Sequence, residues 1–228
     1  MIHSPNLNRR EIRSGILFFL LWLFVLPSLM ISLNLLLGEP LSTGALNFAF
    51  YLLSFLCSAV IFRSYLRASI RALKSTLLPA LLWAGAGFLG NLAAAWLLRA
   101  LFDLLFPGFV NFNDQSVIRA LLDEPVWMSV GVTVLIPVTE ELLFRGLLFR
   151  GLYDRSPALA WLVSVTAFAA VHVAGYLGSA SPSFLLLSFL QYLPAGLFLC
   201  FVYRRSSNVF CPMLLHALIN GAAILTVR

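Results

Sequence analysis

Long runs of mainly apolar residues restrict what this chain can fold into. There are seven of them, covering residues 15–37, 45–63, 79–104, 126–149, 157–177, 184–203 and 209–227. Most approach the roughly 20 residues that a helix needs to cross about 30 Å of hydrocarbon. Because a backbone in lipid must satisfy its own hydrogen bonds, such runs form helices. The sequence therefore predicts an all-α, polytopic transmembrane helical bundle of about seven spans.

Composition also indicates lipid as the solvent of this chain. Only 11% of its residues are charged, whereas soluble domains contain about 25%. The formal net charge of +6 arises from short basic clusters between the apolar runs, which is typical of cytoplasmic loops. The sequence contains no glycine-rich phosphate loop and no interleaving of basic and aromatic residues. We therefore expect membrane lipid, and no nucleic acid, as a partner.

The distribution of basic residues predicts an orientation. With a cytoplasmic N-terminus, twelve of the fifteen Lys and Arg residues fall on the inner side, as the positive-inside rule requires. Seven spans then leave the C-terminus outside. Within residues 63–78, helical spacing puts Arg63, Arg67, Arg71 and Lys74 on one face, which predicts an interfacial amphipathic helix.

The longest polar connection, residues 106–125, predicts an outer loop and a division of the chain. Residues 1–125 form an N-terminal membrane region with three spans and the basic helix. Residues 126–228 form a core of four spans. All of the residues that we single out for chemistry lie in this second part.

A few polar residues interrupt the apolar runs of the second part. Glu140 and Glu141 lie in the fourth run, His172 in the fifth, and His216 and Asn220 in the seventh. A charged residue at the centre of a membrane helix costs on the order of 2.5–3.5 kcal/mol, so such residues are functional candidates. They define the candidate site.

Helical spacing predicts how these residues are arranged. His216 and Asn220 are four residues apart and project from one face of the last helix. Glu141 and Arg145 have the same spacing, so the arginine can neutralise the second carboxylate as a supporting residue. Glu140 points about 100° away from Glu141 and is free to face a different partner.

These residue types in a dry cavity permit the activation of water. A buried glutamate beside an imidazole can take a proton from water. A histidine and an asparagine on a facing helix can donate hydrogen bonds to an oxyanion. Pro137, three residues before Glu140, predicts a kink or a wider cavity. Each residue alone also has a structural interpretation, either as a helix–helix hydrogen bond or as an ion pair.

Three sequence patterns carry a family resemblance. They are Glu140-Glu141-Leu142-Leu143-Phe144-Arg145, Phe168-Ala169-Ala170-Val171-His172 and His216-Ala217-Leu218-Ile219-Asn220. In them the chain resembles the CPBP family of intramembrane proteases, whose motifs are EExxxR, FxxxH and HxxxN. That family joins CAAX prenyl endopeptidases with bacteriocin-processing and immunity-associated proteins. The resemblance covers about residues 126–227.

The resemblance implies a role for each position. Glu140 matches the catalytic glutamate, and His172 matches its partner in activating water. His216 and Asn220 match the pair that stabilises the oxyanion, while Glu141 and Arg145 match supporting positions. Helix geometry at 1.5 Å per residue puts His172 about 22 Å along the fifth helix from its start. A tilt or a bend must therefore bring His172 to the other residues.

The family resemblance leaves two questions on mechanism and class. Two histidines and a glutamate can bind zinc with one open position, but Asn220 suits a hydrogen-bond donor better than a ligand. We expect a metal-free, glutamate-dependent mechanism without a cofactor. The expected activity is endoproteolysis of a membrane-presented substrate with a CAAX-like C-terminus, a leader peptide or a C-terminal sorting signal. The alternatives are a non-catalytic immunity or scaffold protein and a small proton-coupled transporter. In each case we expect an integral protein of a bacterial inner or plasma membrane.

Overall fold

The computed structural model describes residues 5–74 and 76–226, and within these residues it contains helices and connecting turns but no strand. The helices are α1 (Arg9–Phe24), α2 (Leu26–Leu35), α3 (Thr43–Ile61), α4 (Arg63–Leu73), α5 (Leu77–Leu105), α6 (Phe112–Asp123), α7 (residues 125–153), α8 (Pro157–Ala174), α9 (Pro182–Ser206) and α10 (Phe210–Leu225). The predicted all-α class is confirmed.

The helices differ in their ability to cross a membrane. In the described part of the chain, four of them, α3, α5, α8 and α9, are long and apolar enough by length and composition. The pair α1 and α2 makes a fifth if it is counted as one bent span. The last predicted span, α10, has 16 residues. The predicted fourth span corresponds to α7, whose backbone alternates between two helix types. A helical membrane bundle is confirmed.

The first predicted span is not one straight helix. The chain bends by 49° between α1 and α2, at Val25. Pro27 lies in the first turn of α2, where its missing N–H removes a hydrogen bond that a continuous helix would need. The prediction of a single helix over residues 15–37 was therefore wrong about its shape.

A buried glutamate joins the starts of α1 and α4. Glu11 and Asn8 form a capping box, in which each side chain accepts from the backbone N–H of the other. The other carboxylate oxygen of Glu11 accepts from the backbone N–H groups of Ser64 and Tyr65 at 3.0 and 2.9 Å. Because the first N–H groups of a helix lack partners within it, one side chain here serves both helices.

The basic segment forms the amphipathic helix that the sequence predicts. Tyr65 and Ser69 on α4 are buried, and the Tyr65 hydroxyl lies 3.0 Å from that of Tyr203 on α9. The side-chain amide of Asn208 donates to the backbone carbonyl of Ser69 at 2.8 Å. The basic residues lie on the other face, where they are exposed: Arg63, Arg67, Arg71 and Lys74.

The predicted outer loop contains a further helix, α6. The side chain of Asn111 accepts from the backbone N–H of Asn113 and caps its start. Ala120 and Leu121 are buried on its inner face, and both pack in a small core with Met128 of α7. The assignment of a loop was wrong. The amphipathic pattern of α6 is short and has polar neighbours, so the helix depends on packing against the bundle.

Helix α7, which carries the first motif, alternates between α- and π-helical turns. Two π-helical segments, Gly131–Leu135 and Leu142–Phe149, flank the α-helical segment Ile136–Glu141. Pro137 lies in the first turn of this α-helical segment. A π-helical turn widens the helix and often occurs at functional sites. The helix is thus irregular on both sides of the segment that contains Pro137, and a kink or a wider cavity at Pro137 stays a prediction.

Helices α8 and α9 pack along each other beside α7. Gly196 permits the close approach, since a Cβ built on it would lie 3.2 Å from Val165 Cγ1. The core continues into the N-terminal region, where Phe19 of α1 contacts Phe144 of α7 edge-to-face with ring centroids 5.5 Å apart. The two predicted regions therefore share buried residues, and the boundary at residue 125 stays a prediction.

Candidate active site

Glu141 and Arg145 form a fully buried ion pair, as their spacing predicts. Arg145 Nη1 donates to Glu141 Oε1 at 3.0 Å, and both side chains have zero exposure. Arg145 Nη2 also donates to the backbone carbonyl of Gly196 at 3.2 Å. The guanidinium carbon lies 4.5 Å from the ring centroid of Phe168, within range of a cation–π interaction. One arginine thus connects α7, α8 and α9.

His216 lies between the two glutamates. Its Nδ1 is 2.9 Å from Glu141 Oε1, and its Nε2 is 3.7 Å from Glu140 Oε2. An ionised carboxylate can only accept, so Nδ1 carries the proton in the contact with Glu141. The second distance is beyond a direct hydrogen bond but suits a bridging water. Although Glu140 and Glu141 point in different directions, they face the two nitrogens of one imidazole.

The two glutamates differ in access. The side chain of Glu141 is completely buried, whereas that of Glu140 keeps 10% of its surface exposed. Glu141 accepts from Arg145 and His216, both through Oε1. Glu140 faces His216 across the longer gap of 3.7 Å. Of the two carboxylates, Glu140 is therefore the one that can meet a water molecule or a substrate.

His172 and His216 both contact the ring of Phe168. The Phe168 ring centroid is 4.8 Å from that of His172 and 5.6 Å from that of His216. Among the described residues, no N···O contact within 4.0 Å joins His172 to Glu140. The structure thus brings His172 to the vicinity of the cluster through Phe168, without direct contact with the predicted catalytic glutamate.

Two neighbours fix the ring of His172. Its Nδ1 is 2.8 Å from the backbone carbonyl of Phe168. Since a carbonyl can only accept, Nδ1 is the donor and the Nε2 lone pair remains available in the neutral ring. The ring also stacks on Tyr192 of α9, with centroids 4.1 Å apart and planes at 27°.

Asn220 attaches α10 to the first π-helical segment of α7. Its Nδ2 donates to the backbone carbonyl of Val132 at 2.9 Å. His216 and Asn220 therefore both face α7, and their predicted common face is confirmed. The contact with Val132 lies eight residues before Glu140, which corresponds to about two helical turns.

Helix α9 contributes two groups that sequence reasoning missed, the carbonyl of Gly196 and the ring of Tyr192. A backbone carbonyl carries no signal in the sequence. Tyr192 had one, since Gln191 and Tyr192 place adjacent polar groups inside an apolar run, and such residues often join helices in membranes.

Metal binding requires several ligand side chains in one place. Within residues 5–74 and 76–226, no three His, Cys, Asp or Glu side chains are grouped so that they could hold a metal ion.

Comparisons with known proteins match the part of the chain that carries this geometry. Residues 122–222 match the family model of type II CAAX prenyl endopeptidase Rce1-like proteins. The matched stretch contains every residue of the predicted site, and it covers a little less than half of the chain. The suspected resemblance is therefore confirmed for this stretch.

Curated relatives agree with the family. The chain is 25% identical over 154 residues to "Putative membrane peptidase YdiL" of Bacillus subtilis (strain 168), covering 67% of this chain and 58% of that protein. It is 34% identical over 134 residues to the UPF0177 protein YbdJ of Lactococcus lactis subsp. lactis (strain IL1403), covering 58% and 54%. The chain thus spans little more than half the length of these relatives. No solved structure gave a significant match.

Proposed function

We propose that this chain is an intramembrane endopeptidase that hydrolyses a peptide bond of a membrane-presented substrate. The observation that carries the proposal is the position of Glu140, whose Oε2 faces His216 Nε2 across 3.7 Å inside a segment of the Rce1-like family. A carboxylate with limited access, beside an imidazole and away from bulk water, has the properties of a general base.

In the proposed reaction Glu140 takes a proton from water. The water oxygen forms a bond to the carbonyl carbon of the scissile peptide, and the carbonyl electrons move to its oxygen. When the tetrahedral intermediate collapses, the carbon–nitrogen bond breaks and Glu140 returns the proton to the leaving amine. The balance is one water molecule consumed and two peptide ends produced.

The hydrogen bonds of the two histidines support different roles. His172 donates through Nδ1 to a carbonyl, so its Nε2 can accept a hydrogen bond from the attacking water. A water bonded to both His172 and Glu140 can span about 5.5 Å between them. His216 donates through Nδ1 to the Glu141 carboxylate, and in the proposed reaction its Nε2 donates to the oxyanion. We assign Asn220 to the same oxyanion.

Substrates and surroundings are part of the proposal. The substrate is a peptide at the membrane with a CAAX-like C-terminus, a leader sequence or a C-terminal sorting signal. The named peptidase among the relatives supports a peptide, and the apolar helices support a lipid environment. The proposed orientation has a cytoplasmic N-terminus and an external C-terminus in a bacterial inner or plasma membrane.

The test compares three proteins reconstituted in liposomes: wild type, Glu140→Gln and the control Glu39→Gln. Glu39 is exposed near the end of α2, so its substitution removes the same charge far from the site. Each is incubated with membranes from the source cells, and new peptide ends are measured by mass spectrometry. We expect the same new ends with wild type and Glu39→Gln, and none with Glu140→Gln. Identical ends in all three samples would remove the protease proposal and favour an immunity or scaffold protein or a transporter.

A chelator in the same assay tests the metal-free mechanism. A reaction that depends on Glu140 without zinc keeps its rate when the chelator is present. Loss of activity that added zinc restores would assign a metal to the site and overturn the proposal that no cofactor is needed.

A further inference from the structure

A polar cluster joins the outer helix α6 to α9 next to His172. Asp114 Oδ1 accepts from the Tyr192 hydroxyl at 2.6 Å, and Asp114 Oδ2 accepts from Gln191 Nε2 at 3.0 Å. The Tyr192 hydroxyl also accepts from Asn113 Nδ2 at 2.9 Å. The phenol of Tyr192 is thus held at its hydroxyl end by two consecutive residues of α6.

The ring face of the same tyrosine contacts His172. The two rings are nearly parallel, with centroids 4.1 Å apart. A stacked neighbour prevents rotation of the imidazole out of its plane, and the bond from Nδ1 to the Phe168 carbonyl sets the direction of that plane. Tyr192 itself is held in place, because its hydroxyl donates a short hydrogen bond to Asp114 and accepts another from Asn113.

We propose that Tyr192 is a positioning residue, which Asp114 holds so that the imidazole of His172 keeps its orientation toward the site. Nε2 of His172 then stays directed at a fixed point, and the outer helix α6 is a part of the catalytic arrangement. The catalytic consequence rests on the proposed function, whereas the control of the His172 ring does not.

The simpler explanation is that the cluster only attaches α6 to the bundle. Tyr176 makes a matched control possible, because its hydroxyl donates to Ser116 Oγ at 2.9 Å and to the carbonyl of Phe112 at 3.3 Å. It joins α6 to the turn that follows α8, as Tyr192 joins α6 to α9, and its ring contacts Phe112. Tyr176→Phe therefore loosens α6 while it leaves the stacking on His172 in place.

The first measurement is the reactivity of His172 toward diethyl pyrocarbonate, which modifies unprotonated imidazole nitrogen. The reconstituted protein is labelled for increasing times, and the modified fraction of the His172 peptide is quantified by mass spectrometry. We expect Tyr192→Phe and Asp114→Ala each to raise the labelling rate of His172 about fivefold, since each removes the hydrogen bond between Tyr192 and Asp114. Asp114→Asn keeps an acceptor and should give a smaller rise. Tyr176→Phe should leave the rate as in wild type.

A double variant tests whether the two residues act together. Tyr192→Phe combined with Asp114→Ala should label His172 no faster than the faster single variant, because residues that act through one bond are not additive. Equal labelling in wild type and Tyr192→Phe would overturn the inference. So would an equal rise in Tyr192→Phe and Tyr176→Phe, since it would show that the cluster only attaches α6.

The second measurement uses whichever substrate the liposome assay identifies. A positioning role predicts that Tyr192→Phe lowers kcat about tenfold, while KM stays within about twofold. Tyr176→Phe should leave both constants unchanged. If Tyr192→Phe changes the labelling of His172 but Glu140→Gln makes no difference to peptide ends, the inference about the ring stands and the protease proposal fails.

Discussion

Two clusters of polar side chains both contact the Phe168 ring, and they are built differently. The ion-pair cluster consists of Glu141, Arg145 and His216, and the aromatic cluster consists of His172, Tyr192 and Asp114. The first is buried, and its central contact joins residues four apart on one helix. The second is held by stacking and by a hydrogen bond between residues 78 positions apart.

The difference separates a role in the fold from a role in activity. A buried charge needs its partner, because an uncompensated charge in an apolar interior is very costly. A stacked imidazole can lose its neighbour and remain in a stable protein, but with an altered orientation. We therefore expect damage to the ion-pair cluster to reduce stability and damage to the aromatic cluster to reduce turnover.

The largest expected effect is that of Arg145→Met. The substitution removes the positive partner of the buried Glu141 carboxylate and leaves it only the contact with His216. Breaking a buried ion pair costs about 3–5 kcal/mol. Thermal unfolding in detergent, followed by circular dichroism, should show a much lower midpoint. Arg145→Lys keeps the charge but loses the second bond to Gly196, so its unfolding midpoint should lie between those of wild type and Arg145→Met. A midpoint equal to wild type for Arg145→Met would contradict the assigned role of the ion-pair cluster.

Glu140→Gln should have the next largest effect, and on activity alone. Loss of a general base lowers turnover by about 100-fold or more. The unfolding midpoint should stay close to wild type, because Glu140 has no direct hydrogen bond to lose among the residues that the structure describes. Glu141→Gln is the matched variant one residue away and should lower the midpoint clearly. If the two variants behave alike in both measurements, the distinction between the neighbouring carboxylates is wrong.

Tyr192→Leu should give an intermediate effect on the aromatic cluster. Removing the ring abolishes the stacking on His172, and we expect turnover to fall about tenfold or more. The free energy of unfolding should stay within about 1–2 kcal/mol of wild type. Rescue by Tyr192→Trp, which restores an aromatic face, would support stacking as the cause. Turnover equal to wild type in Tyr192→Leu would argue against it.

The smallest effect is expected at the exposed pair of Arg99 and Asp103. These residues have the same spacing as Glu141 and Arg145 and a similar distance of 2.9 Å, but their side chains are 64% and 57% exposed. Exposed pairs contribute about 0–1 kcal/mol, so Arg99→Met should hardly move the unfolding midpoint. Comparison with Arg145→Met isolates burial as the variable, and equal losses in the two would show that burial is not what matters.

The sequence predicted the contacts that depend on one helix. The pairing of Glu141 with Arg145 and the common face of His216 and Asn220 follow from a spacing of four residues. The ion pair of Arg99 and Asp103 follows from the same rule. Such contacts are local, so the periodicity of the helix suffices to find them.

Contacts that depend on helix shape could not be predicted in the same way. Ideal periodicity directs Glu140 and Glu141 to different partners, but His216 presents a separate nitrogen to each. The π-helical turns before and after Ile136–Glu141 also change which residues of α7 lie on the same face of the helix. Nothing local in the sequence specifies these turns beyond Pro137.

Contacts between distant segments could not be predicted from the sequence either. The bond from Tyr192 to Asp114 requires α6 to form and to pack on α9, and the sequence of residues 106–125 was interpreted as a loop. The carbonyl of Gly196 reaches Arg145 only because α8 and α9 approach closely. Tertiary packing determines both, and single-chain periodicity does not contain it.

The central claim is hydrolysis by water that Glu140 activates, and it is tested most directly in water enriched in oxygen-18. The liposome assay with source membranes is run with wild type and Glu140→Gln, and the new C-terminal ends are analysed by mass spectrometry. The account predicts new ends that each carry one oxygen-18 atom from the solvent in the wild-type sample, and no such ends with Glu140→Gln. Labelled ends that form at the same rate in both samples would contradict it.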